Sequence, residues 1–421
     1  MNNNIRIKAY EILYEVCFNN GYANLLLRQA YQNIDSVNDR NLLTNIVYGI
    51  LKNKRLLEYQ LNILNNVKIS NKQLIILLIA LYQYHFLDRI PSYAIISEAQ
   101  KMSGYLLDNY QKKFINALLH QLLNEELVYA QSDNELNDLS INYSQPLWYL
   151  KMLKKQYGHD VMVEVIKDNN KPAKLYLRMN HLNKDKFIDN QNLYKKLDYL
   201  DDAYEYLGDN IIKDPNYLAG VFSIQDLAAQ RVSRFLNPSE NSSVLDMCAA
   251  PGTKTTHLAD IMNNTGIIKA YDFYEHRIDL LKKEITRLNI TNITAQTYDS
   301  LQLLKLEQAN SFDYILCDAP CTGLGVIKRK PEIKFQDISK TMDEIIIIQQ
   351  GLLEVAISLL KDNGCLVYST CTLNKKENEF QIRTLLNNND NLRLIDEKTI
   401  FSYEDDCDSF YMAKIIKNKA F

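Results

Sequence analysis

The sequence lacks the cysteine and histidine patterns that build metal centres and disulfide-stabilised folds. Its seven cysteines never occur at C-x-x-C spacing, and its six histidines do not cluster. Zinc sites and disulfide frameworks need such spacings, so the sequence predicts reduced thiols and no metal. The opening M-N-N-N-I-R-I-K has no apolar signal-peptide core, and no apolar run is long enough to span a bilayer. We therefore expect a cytoplasmic protein with no membrane attachment.

The chain also lacks an excess of positive charge and the common dinucleotide-binding motif. Its formal net charge is −3, so any nucleic acid would have to be held by local basic patches. The fingerprint G-x-G-x-x-G is absent, which disfavours a nicotinamide cofactor. A chain of 421 residues exceeds what one hydrophobic core usually organises. Two or three domains are therefore expected.

The first part of the chain has a helical pattern. Apolar residues recur at helical spacing from residue 5 to about 130, and glycine and proline are sparse there. This pattern predicts an all-helical domain over residues 1–135. We interpret three basic residues within it as a solvated helix end, namely Lys52, Lys54 and Arg55.

The pattern changes twice after this helical part. The polar stretch 131–140 predicts a linker, followed by a small α+β insert over 140–220 with one strand at 174–180. From about 221, short apolar segments alternate with helical ones. The strand candidates are 242–249, 266–273, 292–299, 312–319 and 364–371, and the main helices are 274–289 and 338–361. This alternation predicts an α/β domain over 221–421, with a mainly parallel sheet and helices on both faces.

Each strand candidate ends with, or close to, a residue whose side chain can bind a ligand or react. These residues are Asp246, Asp272, Asp299, Asp318 and Cys371. In parallel sheets of this kind, ligands bind outside the carboxyl ends of the strands. Five such endings on one edge therefore indicate a site.

The turn C-A-A-P-G-T-K at 248–254 joins the first of these strands to a helix. Its small residues let the backbone approach a ligand, and the helix N-terminus supplies free amide donors. Asp272 is placed to accept hydrogen bonds from two ribose hydroxyls, and Asp299 to meet an adenine amino group. The predicted cofactor-binding residues are Cys248, Ala249, Ala250, Pro251, Gly252, Thr253, Lys254, Asp272, Asp299 and Asp318.

Three motifs resemble the signatures of the RNA (cytosine-C5)-methyltransferase family, which uses S-adenosylmethionine. They are D-M-C-A-A-P-G-T-K-T-T-H-L-A from 246, D-A-P-C-T-G-L-G from 318 and S-T-C-T-L-N-K-K-E-N-E from 369. The N-terminal part resembles the NusB-like helical domain, which points to the small-subunit rRNA branch, often called RsmB or Sun. The resemblance implies a Rossmann-like methyltransferase domain, S-adenosylmethionine as cofactor, and 16S rRNA, naked or in an assembling small subunit, as substrate.

The resemblance also implies roles for two thiols and a carboxylate. Cytosine C5 is too weak a nucleophile to take a methyl group directly, so an enzyme first adds a nucleophile at C6. By similarity to the family, Cys371 forms that adduct and Cys321 releases the product. Asp318 should hydrogen-bond the N3/N4 edge of the cytosine. We also expect Asp318 to keep Cys321 thiol-like, because a nearby carboxylate raises a cysteine pKa.

Two further stretches are predicted to contact RNA or to wall the site. Lys328, Arg329 and Lys330 follow the Cys321 loop and could grip phosphates. The segment 222–230 resembles one that walls the active site in the family. The remaining cysteines are interpreted as core or incidental residues, namely Cys17, Cys317, Cys365 and Cys407.

Other functions remain open at this point. An exocyclic-amine methyltransferase would need no thiol, and its motif usually pairs Asn or Asp with Pro-Pro and an aromatic residue, unlike D-A-P-C. A noncatalytic RNA-binding or assembly factor would use mainly the helical domain, but both cysteines and the adenosine pocket are retained. Within the favoured class, tRNA is the alternative substrate. We expect a monomer.

Overall fold

The computed structural model describes residues 4–64, 68–336 and 338–419. By compactness the chain forms two units, one made of residues 1–171 and 327–336, and the other of residues 172–326 and 337–421. The short segment 327–336 therefore belongs with the first unit, although the chain on both sides of it belongs to the second.

The described part of the first unit is helical, as the apolar spacing predicts. Its helices are α1 (Ile5–Phe18), α2 (Ala23–Tyr31), α3 (Val37–Leu64), α4 (Asn71–Phe86), α5 (Ser92–Leu106), α6 (Asn109–Leu122), α7 (Glu135–Asn142), α8 (Leu147–Tyr157) and α9 (His159–Asn169). Polar side chains start several of them. Asn4 accepts hydrogen bonds from the first amides of α1, and Ser70 and Gln73 form a capping box at α4.

Helix α4 lies at the centre of this unit, where it packs against α1, α3, α5 and α6. Its residues 75–81 are all fully buried. Gly49 of α3 permits a close approach, because a Cβ there would lie 1.9 Å from the ring of Tyr82. Each buried leucine or isoleucine contributes roughly 1.5–3 kcal/mol, so this core is the main source of the unit's stability. None of the described helices combines the length and apolarity that a membrane span requires.

The polar stretch 131–140 is not the simple linker that the sequence suggests. Its second half begins α7, and the side chain of Asn134 accepts a hydrogen bond from the amide of Asn137. Just beyond α7, Ser144 Oγ accepts from the amide of Arg55 on α3 at 2.7 Å. Polarity alone does not reveal such long-range hydrogen bonds. The domain boundaries expected from the sequence stay predictions, namely 1–135, 140–220 and 221–421.

The second unit begins with a small antiparallel sheet. Its elements are β1 (Tyr176–Met179), β2 (Tyr194–Lys196), β3 (Ala203–Tyr206), the short helix α10 (Pro215–Leu218) and β4 (Phe222–Ile224). The strand order is β2-β3-β1-β4. Aromatic rings fill its core, with Phe222 5.4 Å from Phe187 and 5.1 Å from Tyr194 between centroids. The strand predicted at 174–180 is confirmed.

A seven-stranded sheet forms the rest of the second unit. Its elements are α11 (Leu227–Leu236), β5 (Ser243–Asp246), α12 (Thr253–Ile261), β6 (Ile267–Asp272), α13 (Glu275–Arg287), β7 (Ile293–Thr297), β8 (Phe312–Asp318), α14 (Ile338–Leu359), β9 (Leu360–Thr370), α15 (Glu379–Asn387), β10 (Leu392–Ile400), α16 (Ser402–Asp405) and β11 (Phe410–Lys417). The order is β10-β11-β9-β8-β5-β6-β7. Strands β5 to β9 pair in parallel, whereas β10 and β11 pair antiparallel. The predicted α/β fold is confirmed, but the hairpin β10–β11 was missed.

Both faces of this sheet are covered. Val244 of β5 joins a core with α11 and α12, whereas its neighbour Leu245 joins a core with α14 on the opposite face. Successive residues of a strand point to opposite faces, so both of these positions must be apolar. This explains why the strands read as short continuous apolar runs.

The chain reverses its direction of strand addition between β5 and β8. Strands β6 and β7 lie on one side of β5, while β8 and β9 lie on the other. Asp246 and Asp318 are the last residues of the two strands that flank this switch point. Crevices of this kind are where open α/β sheets bind ligands. Cys371 directly follows the neighbouring strand β9.

Candidate active site

The turn between β5 and α12 is shaped for close approach to a ligand. Gly252 has φ +108°, and a Cβ there would lie 2.4 Å from Leu281 Cδ1, so only glycine fits. The amide of Ala249 donates to Tyr271 O at 2.9 Å, and that of Ala250 donates to Asp272 Oδ2 at 3.2 Å. Helix α12 begins directly after this glycine, so its free amides face the turn.

Asp272 ends β6, as the sequence predicts, and lies beside the turn. Besides Ala250, its buried carboxylate accepts from the amide of Tyr274 at 3.1 Å and pairs with Arg277 at 3.2 Å. Asp299 differs from the prediction, because β7 ends at Thr297. Its carboxylate caps the following 3₁₀ turn, accepting from the amide of Leu301 and the side chain of Gln302, both at 3.0 Å.

Asp246 is buried in the wall of a small cavity lined by residues 248–254 and Asp318. Its Oδ2 accepts from Thr255 Oγ1 at 2.8 Å. Its Oδ1 has no partner of full hydrogen-bond geometry among the described residues, although the Cys248 amide interacts with the carboxylate. Burial, together with the nearby Asp318, raises the pKa of Asp246 to about 7. A buried acceptor without a donor is costly, so this cavity favours a ligand with a positive charge or a hydrogen-bond donor.

Lys254, at the start of α12, reaches across the cavity to Asp318. Its Nζ lies 2.6 Å from Asp318 Oδ2, and Ser369 Oγ donates to Asp318 Oδ1 at 2.7 Å. Burial lowers the pKa of Lys254, but Asp318 and Cys371 raise it, and the net shift is upward. Lys254 was predicted from the sequence only as part of the cofactor turn; the structure brings it to the two reactive loops as well.

The two predicted reactive thiols lie together. Cys321 Sγ is 3.3 Å from Cys371 Sγ. The pKa of Cys321 is raised well above its ordinary value, first by this contact, then by burial and by Glu377. The expected direction is confirmed, but its expected cause is wrong. Asp318 is instead engaged by Lys254 and Ser369.

The loop after Cys321 is held against that of Cys371 by main-chain contacts. The amide of Gly325 donates to Cys371 O, and Gly325 O accepts from the amide of Ser409, both at 2.9 Å. A Cβ at Gly325 would lie 2.1 Å from Ser409 O, so a larger residue would separate the loops. Sequence reasoning did not single out these residues, because nothing local marks such a long-range approach.

The segment 222–230, predicted to wall the site, contacts the cofactor turn through an arginine. Arg178 of β1 is fully buried and donates to Gln225 Oε1 at 2.9 Å and to Thr253 O at 3.2 Å. This contact connects the small sheet to the start of α12. Burial lowers the pKa of Arg178 to about 10.

The three basic residues predicted to contact RNA, Lys328, Arg329 and Lys330, differ in their solvent exposure. Lys328 is 2% exposed, and its Nζ lies 2.8 Å from Asp168 Oδ2 of α9. A side chain so engaged is not available to a phosphate, which corrects the expectation for Lys328. Arg329 is half-buried, and Lys330 is exposed.

Lys52, expected on a solvated helix end, is half-buried instead. Burial lowers its pKa to about 8, and the nearby charges of Lys328 and Arg329 lower it further.

One group of potential metal ligands occurs among the described residues. His181, Asp202 and Asp260 bring ligand atoms within 4.8 Å of one another. Asp260 accepts from His181 Nδ1 at 3.0 Å, and Asp202 pairs with Arg234. These contacts account for the group as an ion-pair network. The expected absence of a metal stays a prediction.

Known proteins match both parts of this architecture. The family model described as 16S rRNA methyltransferase RsmB/F matches residues 233–416, and the NusB family model matches residues 3–124. The "Probable ribosomal RNA small subunit methyltransferase B" of Bacillus subtilis (strain 168) is 33% identical over 392 residues, covering 91% of this chain and 88% of that protein. This chain belongs to the ribosomal RNA small subunit methyltransferase B family. The resemblance inferred from the three motifs is thereby confirmed.

Solved structures agree on the fold of this family member. The structure of PH0851 covers 99% of this chain and 100% of its own, with a TM-score of 0.81 and 23% identity. A methyltransferase homologue from Pyrococcus horikoshii covers 68% of this chain and 100% of its own, with a TM-score of 0.57 and 26% identity. The predicted NusB-like and Rossmann-like methyltransferase folds are confirmed.

Family membership also establishes the enzyme class and the cofactor. The protein is a methyltransferase, and its methyl donor is S-adenosylmethionine. The residues present suit this cofactor, because the buried Asp246 carboxylate favours a ligand with a positive charge or a hydrogen-bond donor, and the small residues of the 248–254 turn line the same cavity. The residues that would hold it are those of the 248–254 turn together with Asp246 and Asp272.

Proposed function

We propose that this chain methylates C5 of a cytidine in small-subunit (16S) rRNA through a covalent bond between Cys371 Sγ and C6 of the base. The observation that carries the proposal is the pair of thiols 3.3 Å apart beside the Lys254–Asp318 ion pair. Methylation of an amine needs no thiol, whereas C5 methylation needs a nucleophile at C6 and a way to release it. The choice of rRNA rests on the names of the matched family and relatives.

The first step is attack by a thiolate. A thiolate forms more readily beside a positive charge, and Lys254 interacts electrostatically with Cys371. The contact with Cys371, burial and the Glu377 carboxylate raise the pKa of Cys321. Because both thiols share that contact, what distinguishes them is the neighbouring charge, which is Lys254 at Cys371 and Glu377 at Cys321. This difference supports Cys371 as the thiol that bonds to C6. Asp318 would accept a hydrogen bond from the N4 amino group of cytosine, and Lys254 would offset the negative charge that addition brings to the ring.

The second step makes and then releases the product. When bound, S-adenosylmethionine would supply a methyl group on a sulfonium; C5 would take it with the electron pair made available by addition at C6, and the cofactor would leave as a neutral thioether. The C5 proton must then leave, and its electron pair re-forms the C5–C6 double bond as Cys371 departs as a thiolate. Cys321 is the group in contact with Cys371. Because its raised pKa keeps it as a thiol, we propose that it holds a water that takes this proton, or that it takes the proton itself after giving its own to such a water.

The target base must leave its stack to meet these groups. Double-stranded RNA does not expose C6 to a thiol, so the cytidine must be single-stranded or flipped. Lys330 is exposed beyond the Cys321 loop and Arg329 is half-buried, so we retain them as proposed phosphate contacts. Recognition of an assembling small subunit, a monomeric state and a cytoplasmic location likewise remain proposals.

The test compares Cys321→Ala with Cys371→Ala after incubation with S-adenosylmethionine and undermodified small-subunit rRNA. Denaturing gels report covalent protein–RNA complexes, and nucleoside mass spectrometry identifies the methylated position. We expect Cys321→Ala to accumulate a covalent complex and Cys371→Ala to give neither complex nor product. The reverse pattern would make Cys321 the nucleophile.

The same test distinguishes the other classes of function. Methylation at N4 by both variants would point to an exocyclic-amine enzyme, and no methylation by the wild-type protein on any RNA would point to a noncatalytic factor. Methylation of tRNA but not of rRNA would support the proposed mechanism and identify tRNA as the substrate.

A further inference from the structure

The carboxylate of Glu377 lies between the two thiol loops and is fully buried. Its side chain is 0% exposed. Oε2 accepts from the amide of Thr322 at 2.8 Å, and Oε1 accepts from Thr322 Oγ1 at 2.6 Å. Thr322 directly follows Cys321, so both oxygens of one carboxylate hold the residue beside that thiol.

The same carboxylate also binds the loop that follows Cys371. Asn374 Nδ2 donates to Glu377 Oε1 at 3.0 Å. Thr322 Oγ1 lies 2.9 Å from the hydroxyl of Thr372, which is the residue after Cys371. Glu377 and Thr322 therefore join the two thiol loops through side-chain contacts and the Thr322 amide, in addition to the main-chain contact at Gly325.

The surroundings of Glu377 fix its own position. Tyr368 donates its hydroxyl to Glu377 O at 2.6 Å. Gln349 of α14 donates to Pro320 O at 2.9 Å and lies 3.4 Å from Glu377 Oε2. The carboxylate is thus held from α14 and from both thiol loops, while β9 holds the main chain of the same residue.

Burial of a carboxylate that has only neutral hydrogen-bond donors costs desolvation free energy and contributes little to the stability of a fold. No ion pair of Glu377 occurs within 4.0 Å among the residues that the structure describes. Burying an unpaired charge costs free energy, and a neutral or apolar residue often serves packing equally well. Its position between the two thiol loops suits a role in the chemistry better than a role in packing.

We infer that Glu377 is a positioning residue for the release step, which holds Cys321 Sγ against Cys371 Sγ while the methylated base is still bound to the enzyme. The inference rests on the proposed C5 mechanism and extends it to a residue that touches neither base nor cofactor. Without this carboxylate, the Thr322 amide and hydroxyl and the Asn374 amide lose their acceptor, and the Cys321 loop is free to shift. Attack by Cys371 depends on Lys254 rather than on Glu377. A change at Glu377 should therefore slow product release more than it slows attack.

The experiment measures how the reaction partitions between covalent adduct and free product. Glu377→Gln is compared with wild type in single-turnover adduct formation and in steady-state methylation. We expect adduct formation to change less than about threefold, while product release falls about 10- to 100-fold, as misplacement by about 1 Å does in other enzymes. The covalent complex should therefore accumulate to a higher level than in wild type.

Two further variants separate positioning from general stability. Thr322→Ala removes one donor to Glu377 and should cause a smaller rise in the adduct, whereas Thr322→Ser keeps the hydroxyl and should match wild type. Glu379→Gln, two residues away, is the control for loss of a carboxylate, because Glu379 lies 4.0 Å from Lys375 and does not hold Thr322 or Asn374 as Glu377 does. Thermal unfolding of each variant checks that it is folded; if Glu377→Gln does not fold, the Thr322 pair decides the question.

The outcomes distinguish this inference from the proposed function. If Glu377→Gln and Thr322→Ala lower adduct formation and turnover in the same proportion, or change neither, the positioning role is wrong. If Cys321→Ala traps RNA while these variants do not, only the inference about Glu377 fails. If Cys321→Ala traps nothing, the proposed mechanism fails, and this inference fails with it.

Discussion

Cys321 Sγ and Cys371 Sγ lie 3.3 Å apart, although fifty residues separate them in the chain. The sheet brings them together, because β8 and β9 are parallel neighbours in which Asp318 pairs with Ser369. Each thiol follows the end of its own strand. The thiols therefore share one edge of the sheet with Asp318, and Lys254 arrives there from α12.

Lys254→Met should impair both stability and methylation. Its loss leaves the part-buried Asp318 without a cation, and we expect a cost of about 1–3 kcal/mol in the free energy of unfolding. Because Lys254 also interacts with Cys371, methyl incorporation should fall by at least about 100-fold. Urea unfolding and a methyl-transfer assay measure the two effects.

Lys361→Met is the control for that prediction. Its ion pair with Asp313 has a 2.8 Å contact but is much more exposed, so its loss should cost less than about 1 kcal/mol. A double variant Lys254→Met/Asp318→Asn should be more stable than Lys254→Met alone. Equal losses from Lys254→Met and Lys361→Met would refute the importance assigned to the buried pair.

Asp272→Asn should weaken binding of S-adenosylmethionine. The carboxylate holds the amides of Ala250 and Tyr274 and ends the strand beside the cofactor turn. Replacing one of its oxygens with an amide removes an acceptor and a charge, and we expect Kd to rise about 10- to 100-fold by calorimetry. Asp279→Asn, on the exposed face of α13, is the control and should leave Kd unchanged. Equal Kd values for both variants would contradict the assignment.

Asp246 should make the ligand-free protein less stable as the pH rises. Burial raises its pKa from 3.8 to about 7, so between these values the folded state holds a proton that the unfolded state releases. Stability contributed by this proton is present at low pH and is lost as the pH rises through about 7. Asp246→Asn removes the dependence while leaving an oxygen for Thr255. The difference in unfolding free energy between the variant and wild type should shift in favour of the variant as the pH rises from 4.5 to 8. If this difference is the same at every pH, Asp246 does not titrate in that range.

Lys328 and Lys330 should differ in what their loss affects. Lys328→Met breaks a fully buried pair with Asp168 and should cost about 3–5 kcal/mol in unfolding free energy. Lys330→Ala should leave stability within about 0.5 kcal/mol but weaken RNA binding, reducing the salt dependence of the affinity by roughly one charge. Unfolding curves and binding titrations at several salt concentrations test both. Loss of RNA affinity from a stably folded Lys328→Met protein would reverse our correction.

Local pattern was sufficient for the strands that carry the site. Strands β5 to β9 were each predicted to within a few residues. β5, β8 and β9 contain largely buried apolar runs, whereas β7 is a mostly exposed edge strand. The hairpin β10–β11 was missed because β10 is an edge strand interrupted by the charged run Asp396, Glu397 and Lys398, which leaves no continuous apolar segment. Asp299 was misplaced for a related reason, since its carboxylate caps a turn two residues beyond the strand.

The sequence by itself determined the family, the alternating fold and the identity of the reactive groups, because motifs and apolar periodicity are local properties of the chain. Only the tertiary structure decided their partners. Asp318 pairs with Lys254, Cys321 takes its raised pKa first from Cys371, and Lys328 is buried on Asp168. Each of these contacts joins residues at least fifty positions apart. Such distances depend on how helices and strands pack, which no local pattern in the sequence specifies.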